Sequence, residues 1–258
     1  MEALLENEEL DYGWILRKLG LTASVVRALE EMQILTVDTE TVWRNPVKAS
    51  EEQTKQIEYT TEQKEAIRSF KEDFQRGNPG TYLLYGVTGS GKTEVYMEMI
   101  QSVVQSGRQA IVLIPEIALT YQTVMRFVRV FGNRVSIMNS RLSAGERYDQ
   151  MMRAKNGEID VMIGPRSALF TPFEHLGLIV IDEEHETTYK SEQVPRYHAR
   201  ETAIERARIE GAGVVLGSET PSLEAFAGCR RGQYRLLRLT QRATQQQMAE
   251  VPVHDLPK

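Results

Sequence analysis

Residues 86 to 93 read Gly86-Val87-Thr88-Gly89-Ser90-Gly91-Lys92-Thr93, a spacing that can enclose a chain of phosphates. The glycines let successive backbone N–H groups converge on phosphate oxygens, Lys92 can reach the β- and γ-phosphates, and Thr93 offers its hydroxyl to Mg²⁺. A second constellation, Asp182-Glu183-Glu184-His185, follows the apolar run Leu178-Ile179-Val180-Ile181. A carboxylate at the tip of a buried strand beside a phosphate loop can hold Mg²⁺ directly or through water, which assigns Asp182. Glu183 next to it can orient and polarise a water for attack on the γ-phosphate. His185 can couple the nucleotide to neighbouring elements, or serve structure alone. The expected chemistry is binding and hydrolysis of ATP with Mg²⁺, with Lys92, Asp182 and Glu183 catalytic and Thr93 and Asp182 on the metal.

The flanking pattern can position these groups. Thr81 to Tyr85 is a short apolar strand, and Glu94 to Gln105 reads as a helix whose N-terminus faces the anion. Further strand-like runs at Ala110–Ile114, Val135–Met138, Asp160–Ile163, Leu178–Ile181 and Val214–Leu216 alternate with helical stretches. Such alternation predicts an α/β fold, a mostly parallel sheet with helices on both faces and ligands at the carboxyl ends of its strands.

Ahead of this region the chain reads helix (about Leu10 to Leu19), turn, helix (about Ala23 to Gln33), then strands at Ile34–Val37 and Thr41–Arg44. That order resembles the end of a winged-helix module. Its second helix carries Arg27 but also Glu30 and Glu31, so a protein-docking adaptor competes with DNA binding as the reading. The expected divisions are a partial winged-helix-like module at 1–45, a polar linker at 46–58, the nucleotide-binding lobe at 59–240 and a tail at 241–258.

Composition narrows the classes. In 258 residues, 41% hydrophobic and 26% charged, a sizeable core can form. The single cysteine, Cys229, excludes an internal disulfide and a Cys-rich zinc site within this chain. No run approaches the roughly 18 apolar residues of a membrane span, and no secretory h-region is evident, so a cytoplasmic protein with no membrane partner is expected. Net charge is −5; residues 1–58 hold 12 acidic and 6 basic side chains, leaving the remainder nearly balanced. Any DNA binding must therefore come from local placement of charge.

Asp-Glu-x-His after a phosphate loop resembles the superfamily 2 helicases. More narrowly, Gly86 to Tyr96, Ile114-Pro115-Glu116-Ile117-Ala118-Leu119-Thr120, Arg166-Ser167-Ala168-Leu169-Phe170 and Asp182 to His185 resemble the primosomal protein N′ (PriA) family of replication-restart helicases, over about residues 10 to 258. The resemblance implies a RecA-like first helicase lobe of an ATP-dependent 3′-to-5′ DNA helicase acting at stalled forks. It implies an adenine-reading role for Gln63, and a nucleotide site formed by Gly86, Val87, Thr88, Gly89, Ser90, Gly91, Lys92, Thr93 and His185. DNA-backbone contacts would fall to Pro115, Glu116 and Thr120, and to Arg166 and Ser167, although Arg166 could instead serve an internal contact. Tyr189, Lys190, Arg196 and Tyr197 would stack on bases and sense single-stranded DNA, with core packing the alternative for either tyrosine.

Forked and single-stranded DNA, a single-stranded-DNA-binding protein and primosome loader proteins are the partners so implied. Three positions depart from the family. Glu219 replaces alanine in Gly217-Ser218-Glu219-Thr220-Pro221-Ser222, where it could repel the acidic site or point to solvent. Asn139 stands where histidine is usual, and Pro165 where threonine is usual. The family's second lobe with its arginine finger, its zinc-binding module and its N-terminal fork-binding domain have no counterpart here, so a fragment is expected, with zinc only in the missing part. The rival readings are a duplex translocase that does not unwind, a fork-binding scaffold with a decayed ATPase, and a small-molecule kinase.

Overall fold

A computed structural model describes Leu16, residues 21–37 and residues 58–242. The chain divides into two compact units, Met1–Val42 and Trp43–Lys258. In the first, α1 (Ala23–Glu31) follows Thr22, and Val26 is its buried residue. The strand expected at Ile34–Val37 does not form. The Val37 N–H instead donates to Glu30 Oε1 at 3.2 Å, a local side-chain bond that competes with a ladder. The helix at 10–19, the strand at Thr41–Arg44, the linker at 46–58 and most of the tail lie outside the described residues.

The second unit is layered α/β. Its elements are α2 (Thr61–Gln75), β1 (Thr81–Gly86), α3 (Lys92–Gln105), β2 (Gln109–Leu113), α4 (Tyr121–Phe131), β3 (Val135–Ile137) and α5 (Ala144–Lys155). They continue with β4 (Val161–Gly164), β5 (Leu176–Ile181), α6 (Ala199–Glu210), β6 (Gly213–Ser218), α7 (Leu223–Arg230) and β7 (Tyr234–Leu239). Among the described residues the strands form one sheet in the order β3-β4-β2-β5-β6-β1-β7, and every pairing is parallel.

Strand geometry sends successive side chains to opposite faces, and the central strands are apolar on both. In β2, Ala110 and Val112 join the core with Phe70, Ile100 and Phe127. Ile111 and Leu113 join the opposite core with Leu169, Ala203 and Ala225. Leu178/Val180 and Ile179/Ile181 divide the same way in β5. Helices α2, α3 and α4 thus cover one face, and α5, α6 and α7 the other. The strand at Tyr234–Leu239 was not foreseen from the sequence. It is an edge strand with exposed Arg235 and Arg238, and Arg235 pairs with Asp73 at 2.8 Å.

Because all strands run one way, their carboxyl ends share one rim. Along it stand the loops after β4, β2, β5, β6 and β1, in that order.

Candidate active site

The loop after β1 turns tightly, with Ser90 N–H donating to the Val87 carbonyl at 3.0 Å. Gly91 caps α3 in a left-handed conformation, φ 80°. A Cβ there would lie 2.2 Å from Gln63 Nε2, so the position needs glycine for both backbone and space. Lys92 and Thr93 then open α3, where free N–H groups and the helix dipole favour an anion. Lys92 Nζ donates to the Gly86 carbonyl at 3.0 Å and lies 3.8 Å from Glu183 Oε1.

Gln63 is 2% exposed, and both ends of its amide are occupied. Its oxygen accepts from Thr60 N–H at 2.8 Å, and Nε2 donates to the Ser90 carbonyl at 2.8 Å. The capping box of α2 draws the amide inward, where it braces the phosphate loop, so reading adenine would require the amide to leave these partners. Gln63→Ala is accordingly expected to weaken ATP and GTP binding by the same factor. A loss confined to ATP in a titration of both nucleotides would favour the base-reading role.

At the end of β5, Asp182 N–H donates to the Leu113 carbonyl at 2.9 Å. Its Oδ1 accepts from Tyr96 Oη at 3.1 Å. Tyr96 lies one turn after Thr93, so both project from the same side of α3, towards the Asp182 carboxylate. Burial pushes the Asp182 carboxyl up, opposed by the Tyr96 hydrogen bond and the Lys92 charge. Burial first, then the Asp182 charge, raise Glu183, while Lys92 pulls it down; Glu219 adds a smaller upward push. A carboxylate raised towards neutrality accepts a water proton more readily.

Glu183 has φ 47°, a left-handed conformation that costs an L side chain about 1–3 kcal/mol. Two backbone bonds hold the turn: Glu184 N–H to the Gly217 carbonyl and Glu186 N–H to the Glu183 carbonyl, each 2.9 Å.

Two links join this turn to the segment after β6. His185 Nδ1 shares a hydrogen bond with Ser218 Oγ at 2.7 Å, and its Nε2 lies 3.4 Å from Thr220 Oγ1. Glu184 accepts from Ser222 N–H at 2.7 Å, from Ser222 Oγ at 3.0 Å and from Arg200 Nη1 at 3.1 Å. Gly217 admits no side chain, since a Cβ would fall 1.4 Å from Tyr96 Oη. Glu219 turns to the phosphate loop, where its carboxylate accepts from Thr88 Oγ1. Nothing local in the sequence signals Arg200 or the Thr88–Glu219 contact, each of which joins distant segments. Tyr96 alone had a clue, its i+3 spacing from Thr93.

The residues expected on DNA lie along the same rim. Pro115 is buried and starts a turn after β2 in which Ala118 N–H donates to its carbonyl at 2.8 Å. Ile117 there is 89% exposed, Glu116 Oε1 accepts from Ser140 N–H at 3.2 Å, and Thr120 caps α4. Asn139 Oδ1 accepts from the Arg141 and Leu142 N–H groups, which makes it a turn residue. After β4, Pro165 precedes a 3₁₀ turn at Arg166–Phe170, with Ser167 exposed.

Arg166 donates to the Thr188 and Lys190 carbonyls and lies over the Tyr197 ring at 5.4 Å. These are the internal contacts that competed with a phosphate role. Tyr197 also meets Phe170 edge-on at 5.2 Å and stays half-buried, while Arg196 is exposed. Tyr189 corrects the base-stacking expectation. It is 1% exposed, and its hydroxyl donates to the carbonyls of Asp182 at 2.7 Å and Leu113 at 3.1 Å. It is a strut beneath the acidic turn.

The family described as "Type III restriction enzyme, res subunit" matches residues 56–208, a stretch that holds both the phosphate loop and the acidic turn. The chain belongs to that family. It is also 42% identical over 252 residues to the replication restart protein PriA of Bacillus subtilis (strain 168), covering 97% of this chain and 31% of that protein. The PriA of Chlamydia pneumoniae is 43% identical over 74% of this chain and 26% of its own length. The resemblance carried by the motifs therefore extends across nearly all of this sequence. This chain spans between a quarter and a third of those relatives' lengths. The structure of RecG bound to a three-way DNA junction shares the fold, with a TM-score of 0.54 and 24% identity over 72% of this chain and 24% of that one. No helix among the described residues is long and apolar enough to cross a membrane.

Proposed function

We propose that these residues form the nucleotide-binding lobe of an ATP-driven DNA helicase of the replication-restart kind, working with a second lobe. The observation that carries the reading is the convergence of Lys92, Asp182 and Glu183, with His185 and Glu184 bonded across to the segment 217–222. Two buried polar atoms in the site, Ser90 Oγ and Glu183 Oε2, have no hydrogen-bond partner among the described residues. They suit a site that completes its bonding with phosphates and water.

In this reading Lys92 leaves the Gly86 carbonyl for the β- and γ-phosphates, and the N–H groups of Thr88, Gly89, Gly91, Lys92 and Thr93 hold the phosphate chain. Thr93 and Asp182 would hold Mg²⁺, which supplies charge neutralisation on the phosphates. Glu183 takes the proton of the attacking water.

The rim supports a coupling role. Loops after β2 and β4 lie on one side, the phosphate loop on the other, and the turns after β5 and β6 between them. The backbone N–H groups of Glu116 and Ile117, Ser167 and Arg196 would meet a DNA strand, while Tyr197 would offer a ring face to a base. A cleft beside Glu184 is lined by Lys190, Arg196 and Tyr197 and also by the carboxylates of Glu186, Glu192, Glu201 and Glu224, so strand contact near the buried junction would be confined to its basic edge at Lys190 and Arg196. The proposed setting is cytoplasmic, with forked and single-stranded DNA, a single-stranded-DNA-binding protein and primosome loaders as partners.

The test is ATP hydrolysis by a two-lobed protein containing this chain, with and without forked DNA, beside Lys92→Ala. DNA-stimulated hydrolysis that falls by about 10²-fold or more in the variant is expected, since a charge that stabilises the transition state is removed. Unchanged hydrolysis in Lys92→Ala would overturn the assignment.

A further inference from the structure

Glu219 is not used in the chemistry above, yet it makes the contact that closes the site. Thr88, at the tip of the phosphate loop, donates its hydroxyl to Glu219, a partner 131 positions away. Both residues are exposed, so burial does not force the contact. The carboxylate stands between Ser218 and Thr220, the two hydroxyls that meet His185. It also adds a third negative charge to a site that already holds Asp182 and Glu183 around one lysine. In phosphate loops of this spacing the outermost phosphate lies between the lysine and the water-polarising carboxylate, here Lys92 and Glu183, which are 3.8 Å apart.

We propose that Glu219 sets the nucleotide preference of the site: its carboxylate ties down the tip of the phosphate loop and opposes entry of a third phosphate, favouring the diphosphate relative to the triphosphate. This rests on the reading of residues 86–93 as a nucleotide site. A diphosphate leaves the Thr88–Glu219 contact in place. A triphosphate brings its terminal oxygens towards Lys92 and Glu183 and must displace the carboxylate. Displacement frees the segment that also anchors His185 and Ser222, so arrival of the third phosphate is transmitted to the 217–222 loop as a broken bond. An alanine at this position carries neither the charge nor the tether.

The experiment is equilibrium binding of a non-hydrolysable ATP analogue and of ADP to the 258-residue chain, unaltered and as Glu219→Ala, Glu219→Gln and Lys92→Ala, at low and high salt. Like charges about 4 Å apart change affinity by about fivefold in bulk water and by more where water is excluded, so an effect of about tenfold is expected for the exposed Glu219. Glu219→Ala and Glu219→Gln should therefore tighten the triphosphate analogue by about tenfold and ADP by less than about twofold. The difference should shrink at about 1 M salt, where exposed charges are screened; a purely structural role would not respond to salt in this way. Equal tightening of both nucleotides, or no change in either, would overturn the proposal while leaving the nucleotide site intact. Binding that is absent from the unaltered chain, or unaffected by Lys92→Ala, would overturn the nucleotide site and this proposal together. Glu219→Gln keeps an acceptor for Thr88 at an exposed position, so folding is preserved, and a matching circular dichroism spectrum checks that.

Discussion

Replacing Glu183 by glutamine is expected to lower ATP hydrolysis by about 10²–10⁴-fold, the usual contribution of a positioned proton acceptor, while nucleotide affinity is kept or tightened. The separation follows from the geometry. Phosphate binding is assigned to Lys92, the backbone of the 86–93 loop and the N-terminus of α3. The metal position is assigned to Thr93 and to Asp182, which Tyr96 holds at 3.1 Å. None of these takes its position from Glu183, and loss of the Glu183 charge beside Lys92, 3.8 Å away, removes a repulsion on the outermost phosphate. The amide of glutamine keeps the shape and fits the left-handed turn as glutamate does, but it cannot take a proton. Phosphate release and nucleotide binding, measured on the same two-lobed preparation, decide the matter. A variant that hydrolyses ATP within about fivefold of the parent would move the proton acceptor elsewhere, since that lies below the range for general-base loss.

The largest stability effect is expected at Glu184. Its side chain is 0% exposed and that of its partner Arg200 is 7% exposed. Glu184→Ala leaves the buried Arg200 guanidinium with only the exposed Glu201 carboxylate, at 3.2 Å, for charge partner and removes the acceptor for Ser222 N–H and Oγ. Losing one member of a buried pair costs about 3–5 kcal/mol, which for a lobe of this size corresponds to a melting temperature lower by about 10 °C. The double variant Glu184→Met with Arg200→Met is expected to recover much of the loss, because no charge is then left unpaired. Removing the exposed pair Glu205–Arg208, 58% and 70% exposed, should leave the melting temperature unchanged. Thermal unfolding of the four proteins settles the ranking. A Glu184→Ala protein as stable as the parent would mean that water reaches Arg200.

The parts of this site that the sequence made legible are those written in short spacings. The phosphate loop and the Asp-Glu-Glu-His turn are local, and apolar runs such as Leu178–Ile181 can be little else than central strands. Element ends moved by a residue or two, as hydrogen bonds rather than residue types set them. What stayed hidden is pairing between distant segments. Tyr189 stood open between base stacking and core packing because its acceptors at Leu113 and Asp182 become visible only once β2 and β5 lie side by side. Gln63 carried a base-reading expectation, and only the fold shows its amide held by the α2 capping box and the Ser90 carbonyl. The last strand escaped notice because Arg235 and Arg238 give an edge strand the polarity of a tail. Glu219 stood out as a charge where a small residue is usual, yet its direction, towards Thr88 in an exposed contact, required the fold.

The place of β1 in the sheet bears on how the protein is made. β1 carries the phosphate loop, yet it pairs only with β6, Thr81 against Val214, and with β7, Thr81 against Tyr234. No strand between them in sequence touches it. A ribosome emitting this chain at about 5–20 residues per second must add more than a hundred residues after the phosphate loop before its strand gains a neighbour. Strands β2 to β5 can associate among themselves during that interval, while the nucleotide loop rides on an unpaired strand whose own partners are still unsynthesised. The proposed nucleotide site is thus among the last parts of the lobe to be assembled, so a nascent chain stalled before residue 213 would hold every residue of the phosphate loop and no site.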